Sequence, residues 1–384
     1  MKIKTFIKLG DICDISAGQG APQGDSNYCD NGTPFVKAGN LIELLQGKNE
    51  TDIQKVSEDV AKKHKLKKYT AGSILFAKSG MSCMKGYVYQ LKNDSYVVSH
   101  LAIVKPIKDS SDYIEYCLRH IKPNSLVKDE AYPSISLQDI SNLKIPLPSL
   151  EEQIKISKQL YICTQIINKH KKQLERYDTL IKSRFIEMFG DPVINEKDWD
   201  LKTLPELGEF GRGVSKHRPR NAPELLGGKY PLIQTGDVAN ANLYITDYES
   251  TYSEEGFKQS KMWKAGTLCI TIAATIAKTA ILTFDSCFPD SVVGFTPNEK
   301  TNSLFINYWF SFFQKILEEQ APAVAQKNIN LQVLSELKII TPPISLQNNF
   351  AAFVQQIDKS KFAVQKSLEK TETLYKSLMQ RYFA

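Results

Sequence analysis

From Leu150 to Phe189 the chain reads LEEQIKISKQLYICTQIINKHKKQLERYDTLIKSRFIEMF, with no glycine or proline before Gly190. Along it Ile156, Leu160, Cys163, Ile167, His170, Leu174, Tyr177 and Ile181 recur at alternating steps of four and three, the spacing that lines one face of an α-helix. The same alternation returns near the C-terminus in Phe350, Val354, Ile357, Lys361, Val364, Leu368, Thr371, Tyr375 and Leu378. Sustained over several heptads, it predicts a coiled-coil seam. Ser149 ahead of Glu151 and Glu152 predicts an N-cap with acidic first-turn residues, and Gly190-Asp191-Pro192 predicts the stop. About 40 residues at ~1.5 Å each make a rod of roughly 60 Å. Alone, each helix would expose an apolar stripe to water. An antiparallel pair buries both, and such a pair is expected to hold the globular parts apart, the alternative being that each helix packs on its own domain. The polar seam residues His170, Lys361 and Thr371 read as register control.

Working outward, the chain is nearly two copies of itself, offset by roughly 195 residues. Gly72-Ser73-Ile74-Leu75 returns as Gly266-Thr267-Leu268-Cys269. Leu137-Gln138 with Leu143-Lys144-Ile145 returns as Leu331-Gln332 with Leu337-Lys338-Ile339, each ahead of a proline cluster. Thr179-Leu180-Ile181-Lys182-Ser183 returns as Thr373-Leu374-Tyr375-Lys376-Ser377. Helix starts pair as Leu150 with Leu346 and helix ends as Phe189 with Phe383. The predicted fold is α+β, with two pseudo-symmetric mixed α/β domains separated by an antiparallel coiled coil of two long helices. The expected boundaries are residues 1–149, a central helix 150–190, residues 191–343, and a C-terminal helix 344–384. In the first domain β-like runs cover Pro34–Gly39, Ser73–Ala77, Gly86–Leu91 and Tyr96–Pro106, with a short helix at Ser111–Ile121. In the second they cover Tyr230–Thr235, Thr267–Thr283 and Ser291–Thr296, with a helix from about Thr301 to Glu319.

With 384 residues, 42% hydrophobic and 24% charged, the chain fits two soluble globular domains. No apolar stretch reaches the length of a membrane span, and the N-terminus has no apolar export region, so a cytoplasmic location is expected. The seven cysteines are scattered without a CxxC pair, which argues for reduced thiols and against zinc or a disulfide frame. A net charge of +7 permits nucleic-acid binding without demanding it. The charge is uneven. Lys62, Lys63, Lys65, Lys67 and Lys68 crowd one stretch, and Arg212, Lys216, Arg218 and Arg220 crowd another. Either alone reads as a solvated loop, but one in each half points to phosphate contacts.

Catalytic signatures are missing. There is no GxxxxGK[ST] loop, HExxH or GxSxG. The amino-methyltransferase motif is absent too, since the only Pro-Pro pair is Pro342-Pro343 after Thr341. Pro289-Asp290 is not followed by the Glu-x-Lys of a metal-dependent nuclease. The five histidines show no ligand spacing, so no metal site is expected.

The duplicated markers resemble the DNA-specificity subunit of type I restriction–modification systems, over the whole chain. In the first half they are Leu9-Gly10-Asp11-Ile12, Val36-Lys37-Ala38-Gly39-Asn40, the run from Gly72 to Gly80, and Pro146 to Gln153. In the second they are Gly266-Thr267-Leu268, the run from Ile272 to Thr279, and Ala325 to Leu331. The second proline run, Pro342 to Asn349, departs by lacking the Glu-Glu-Gln ending. The resemblance implies a non-catalytic subunit with two target-recognition domains, each reading half of a split, asymmetric DNA sequence. It implies two methyltransferase subunits as partners, with optional restriction subunits. AdoMet, ATP and magnesium would belong to those partners, leaving this chain without a cofactor.

Base reading is expected from loop side chains able to make paired hydrogen bonds. The candidates are Gln19, Lys37, Lys78, Ser79, Lys85 and Ser134 in the first domain. In the second they are Gln234, Thr235, Thr275, Lys278, Gln326, Lys327 and Asn328. Lys62 and Lys63, with the rest of their cluster, are expected to hold phosphates. Two other readings compete. A self-contained modification or nuclease protein with a divergent active site would act on DNA alone with AdoMet. A decoy of the enzyme subunits would bind them but not DNA, and a DNA mimic should be acidic where this chain is basic.

Overall fold

The structure is a computed structural model that describes residues 5–217, 219–273, 277–320 and 331–384. The chain folds as two compact units, residues 1–171 with 366–384, and residues 172–365.

The first repeat opens with β1 (Phe6–Lys8), α1 (Leu9–Ile12), β2 (Cys13–Ala17), β3 (Thr33–Val36) and α2 (Asn40–Leu45). It continues through β4 (Lys55–Val56), α3 (Glu58–Lys63), β5 (Ile74–Ala77), β6 (Val88–Gln90), β7 (Tyr96–Val97) and β8 (Leu101–Pro106). It closes with α4 (Ser111–Ile121), α5 (Leu137–Ser141), β9 (Lys144–Pro146) and the long α6 (Leu150–Phe189). The second repeat opens with β10 (Leu201–Lys202), α7 (Leu204–Leu207), β11 (Gly208–Arg212), β12 (Leu226–Leu232), α8 (Thr235–Asn240) and β13 (Tyr244–Ile245). Next come β14 (Ser250–Tyr252), α9 (Glu254–Lys258), β15 (Met262–Trp263), β16 (Leu268–Thr271), β17 (Thr279–Leu282), β18 (Ser286–Cys287) and β19 (Val292–Pro297). Last are α10 (Ser303–Gln320), α11 (Leu331–Glu336), β20 (Ile339–Ile340) and the long α12 (Ile344–Phe383).

The sheets repeat as the sequence does. In the first unit the order is β2-β8-β5-β6, beside a smaller β4-β3-β7 sheet. In the second it is β11-β19-β16-β17-β13, beside β14-β12-β18-β15. β3 runs parallel to β7, as β12 does to β18. The second unit adds β13 at the edge of β17. One sequence expectation changes here. The apolar run Thr267–Thr283 is not continuous but folds back as antiparallel β16 and β17, so that Leu268 faces Ile281. β16 is buried throughout and β17 at all but Thr279, which leaves hydrophobicity alone unable to mark the turn. Gly72 and Gly266 precede β5 and β16 at φ of +85° and +89°, a left-handed turn that suits glycine.

The helix limits agree with the capping signals. The Glu152 amide donates to Ser149 Oγ, and α6 stops at Phe189 because Gly190 turns left-handed at φ +75°. The second helix starts at the expected limit of residue 344, two residues ahead of the Leu346 that the repeat markers pair with Leu150. It begins at Ile344, and both helices span 40 residues. This register puts Gln347 where Gln153 stands in the first copy, so the glutamine of the proline run is retained and the two glutamates are replaced. Both glutamines are buried. Gln153 Nε2 donates to Asp109 Oδ1 (2.8 Å) and Pro148 O (3.0 Å), and its Oε1 accepts from the Ser110 amide. Gln347 Nε2 donates to Lys300 O (3.0 Å) and Pro342 O (2.8 Å), and its Oε1 accepts from Thr301 Oγ1. Each ties the start of a long helix to the segment ahead of α4 or α10.

The helices run antiparallel within each unit. In the first, Tyr382 donates to Gln159 Oε1 at 2.8 Å and Lys171 pairs with Glu372. In the second, Lys361 pairs with Asp178 at 2.6 Å. The seam residues Ile156, Leu160, Cys163, Ile181, Val354 and Leu368 are buried. Ile167, Leu174, Ile357, Val364, Tyr375 and Leu378 are half-buried. The helix ends join the domain cores. Ile156, Leu160, Met379 and Phe383 pack with Leu75, Ile103 and Tyr113. Phe185, Phe189 and Phe350 pack with Phe305, with Phe185 and Phe189 ring centroids 4.8 Å apart. Fully burying each such ring is worth about 1.5–3 kcal/mol.

Candidate nucleic-acid interface

Antiparallel pairing of β2, β8 and β5 brings three chain segments to one end of the first sheet: the exit of β2, the start of β8 and the exit of β5. Gln19 leaves β2 and its amide bonds to Val97 O at 2.8 Å, while Ser99 donates back to Gln19 O. Lys78 leaves β5 and its amide bonds to His100 O at 2.9 Å. Ser79 Oγ meets His100 Nδ1 at 2.8 Å, and a bridge joins Ser79 to Ser134. Lys37 follows β3, where Val98 N donates to Val36 O. Lys85 ends the 3-10 turn Met81–Lys85 that leads towards β6. Thus Gln19, Lys37, Lys78, Ser79 and Ser134 share one hydrogen-bonded loop cluster, with Lys85 on the turn beyond Ser79. His100, which the sequence did not single out, is at its centre. Tyr132 (82% exposed) and Met81 (69% exposed) border it in sequence, and apolar side chains with that much free surface suit a contact face.

Not all candidates are free to read a base. Gln19 spends its carboxamide on the loop after α3, with Nε2 on Lys65 O (2.8 Å) and Oε1 accepting from the Lys67 amide. Lys37 Nζ donates to Gln54 Oε1 at 2.6 Å and lies 4.4 Å above the Tyr28 ring. Lys62 and Lys63 close α3 and are exposed.

The second unit builds the same sheet end. The Gly213 amide bonds to Val292 O and that of Ile272 to Ser291 O. Lys278 is held by Thr271, whose Oγ1 accepts its amide at 3.1 Å, and its Nζ reaches Gln314 Oε1. Gln234 caps α8, with its amide on Asp237 Oδ2 (2.7 Å) and its Nε2 on Ser250 Oγ (3.3 Å). Thr235 is the first residue of α8. The pair repeats the first unit, where the Lys37 amide bonds to Asn40 Oδ1. The signal was available in the sequence, because Val36-Lys37-Ala38-Gly39-Asn40 and Ile233-Gln234-Thr235-Gly236-Asp237 align as turn-and-cap segments. Thr275, Gln326, Lys327 and Asn328, together with Arg218, lie outside the described residues.

The electrostatics favour a binding face over a reaction centre. Among the described residues, Lys62, Lys63, Lys65, Lys67, Lys68 and Lys216 form no ion pair, whereas Lys48, Lys128, Lys229, Lys258, Lys261 and Lys264 each do, as does Arg220 of the second cluster, which pairs with Asp290. Burial pushes the Cys13 thiol up to about 12 and raises that of Cys83 against the opposing charge of Lys78. Neither is poised as a nucleophile. Among the described residues no group of His, Cys, Asp and Glu could hold a metal ion, and no helix is long and apolar enough to cross a membrane.

Two repeats with a shared loop-bearing sheet end agree with a family comparison. The family described as Type I restriction modification DNA specificity domain matches twice, over residues 1–176 and 196–372. The chain belongs to this type I specificity family. Its similarity extends to proteins of Methanocaldococcus jannaschii. The chain described there as the MjaX type I restriction enzyme specificity subunit is 26% identical over 345 residues, covering 84% of this chain and 79% of its own. The MjaVIII type I restriction enzyme specificity subunit is 23% identical over 337 residues, covering 80% and 75%. Among solved structures, the type I restriction–modification S subunit of M. genitalium has a TM-score of 0.64 at 14% identity, covering 100% of this chain and 97% of that one. A chain from a structure of type I R-M system assembly and conformational transition reaches 0.57 at 16% identity, covering 98% and 97%. At these identities the structures speak for the fold of the specificity family.

Proposed function

We propose that this specificity subunit binds a bipartite, asymmetric DNA target and scaffolds the enzyme subunits that act on it. Each unit reads one half of the target with the loops at its sheet end. The two long helices set the gap between the half-sites. Partners are two methyltransferase subunits and, optionally, two restriction subunits. AdoMet, ATP and magnesium belong to those partners, and this chain is not itself an enzyme. A cytoplasmic location goes with that role.

One observation carries the reading: the same sheet end, with the same turn-and-cap at Lys37 and Gln234, recurs in both units while its exposed side chains differ. A repeated frame with divergent loops suits two readers of different sequence. The test exchanges residues 9–145 for those of another specificity subunit in a host carrying the partner subunits. Methylation mapping should show one half of the motif changed and the other intact. Simultaneous change in both halves would refute independent reading.

A further inference from the structure

We infer that Gln19 and Gln259 are positioning residues, each a neutral clamp that fastens the basic loop of its unit to a neighbouring loop and so presents it as a phosphate-binding surface. The inference rests on the DNA reading above and adds to it which residues set the shape of the surface.

In the first unit the clamp sits on the loop leaving β2. The Gln19 carboxamide brackets Leu66, donating to Lys65 O and accepting from the Lys67 amide, much as a neighbouring strand would. The bracketed turn needs support, because Lys65 is a non-glycine residue at φ +51°. In the second unit the glutamine sits on the opposite loop. Gln259 follows α9, as His64 follows α3, and its Oε1 accepts from the amides of Lys216 (2.5 Å) and His217 (2.9 Å) on the loop leaving β11. Ser260 Oγ adds a bond to Val214 O at 2.8 Å. The same two loops are joined in both copies, with the glutamine on different sides. What the repeats share is the junction of the loops.

The junction also explains the two basic clusters of the sequence. Among the described residues, Lys62 to Lys68 and the group Arg212, Lys216 and Arg220 are not at equivalent positions, since one group runs on from a helix end and the other from a strand end. The clamp brings each against its partner loop, so both units have a basic loop at the same place. In the first unit Lys62, Lys63, Lys65, Lys67 and Lys68 are exposed and repel one another. Lys67 and Lys68 stand over the rings of Tyr69 and Tyr96, which leaves their charge intact. A carboxylate could accept the same amide hydrogen bonds but would cancel one charge. An amide fixes the backbone and leaves the field for phosphates.

The test uses the full chain and a ~40-bp duplex of arbitrary sequence, with anisotropy measured from about 50 to 300 mM salt. Gln19→Met and Gln259→Met keep the side-chain volume and delete the hydrogen bonds. Each should weaken binding about three- to tenfold and lower the salt slope by about one, as loss of a phosphate contact does. Amide exchange should quicken at Lys67 in the first variant and at Lys216 and His217 in the second, with Leu75 and Leu268 unchanged. Gln259→Glu, which keeps the acceptor, should leave Lys216 and His217 protected. Faster loop exchange with unchanged affinity and slope would overturn the inference while leaving the DNA reading intact. Faster exchange in the core strands as well would assign the glutamine to general stability, and also overturns it. A wild-type chain that binds no duplex would instead remove the DNA reading itself.

Discussion

The buried glutamines at the two helix starts make a quantitative test of the duplicated architecture. Gln347→Met preserves volume but deletes three hydrogen bonds, to Pro342 O, Lys300 O and Thr301 Oγ1, at a side chain that is 0% exposed. No water can take over, so the partners stay unsatisfied in the interior. At roughly 1 kcal/mol for each lost bond, and more where a buried group is orphaned, the loss should be about 2–4 kcal/mol. For a unit of this size ~1 kcal/mol moves Tm by about 2–4 °C, which gives a fall of about 5–15 °C. Gln153→Met deletes the matching three bonds, at 1% exposure, and should cost a similar amount. The two glutamines share no partner, so the double variant should add to within about 0.5 kcal/mol. Denaturant titration and calorimetry of the full chain measure both effects. A loss below about 1 kcal/mol for either variant would refute the claim that these side chains fasten the helices.

Other outcomes follow from the helices and their charges. Deleting residues 170–176 and 365–371 removes one heptad from each helix and keeps the Gln159–Tyr382 and Asp178–Lys361 pairs. Each helix shortens by about 10 Å, or about three base pairs of DNA. Circular dichroism should show a folded chain, and methylation mapping should show the original motif lost; retention at its original gap would contradict the ruler. Asp358 is half-buried with Oδ2 unpartnered, and burial raises its carboxyl above the usual range despite Lys361. Its folded pKa exceeds the unfolded value, so its contribution is full below about pH 4 and is lost as pH rises through the folded value. Asp358→Asn should therefore gain stability over the parent between about pH 4 and 7, and an equal difference across that range would contradict it.

Much of this fold was legible from local signals. The seam spacing, Ser149 and Gly190 located the first long helix, and the short helix expected at Ser111–Ile121 is α4. The turn between β16 and β17 was hidden because both strands are buried at every position but Thr279 and no alternation survives. α12 starts at Ile344, so pairing Leu346 with Leu150 as equivalent helix starts is two residues out of register, and the buried amides of Gln153 and Gln347 give the true alignment. For the site, the loop residues were identifiable by chemistry, and the sheet topology gathers them. Their engagement was not. Gln19 finds its partners 46 and 48 positions away, and Gln259 finds its own 42 and 43 positions away, and no local pattern encodes such pairs.

Under the proposed function, this chain chooses a split DNA sequence for enzymes supplied by other subunits. Methylation sequencing of host DNA with and without the gene tests it most directly. The expected result is a single motif of two half-sites separated by a fixed gap, methylated only when the chain is present together with its methyltransferase partner. An identical methylation pattern in both hosts, or a motif that depends on the gene but has no gap, would contradict it.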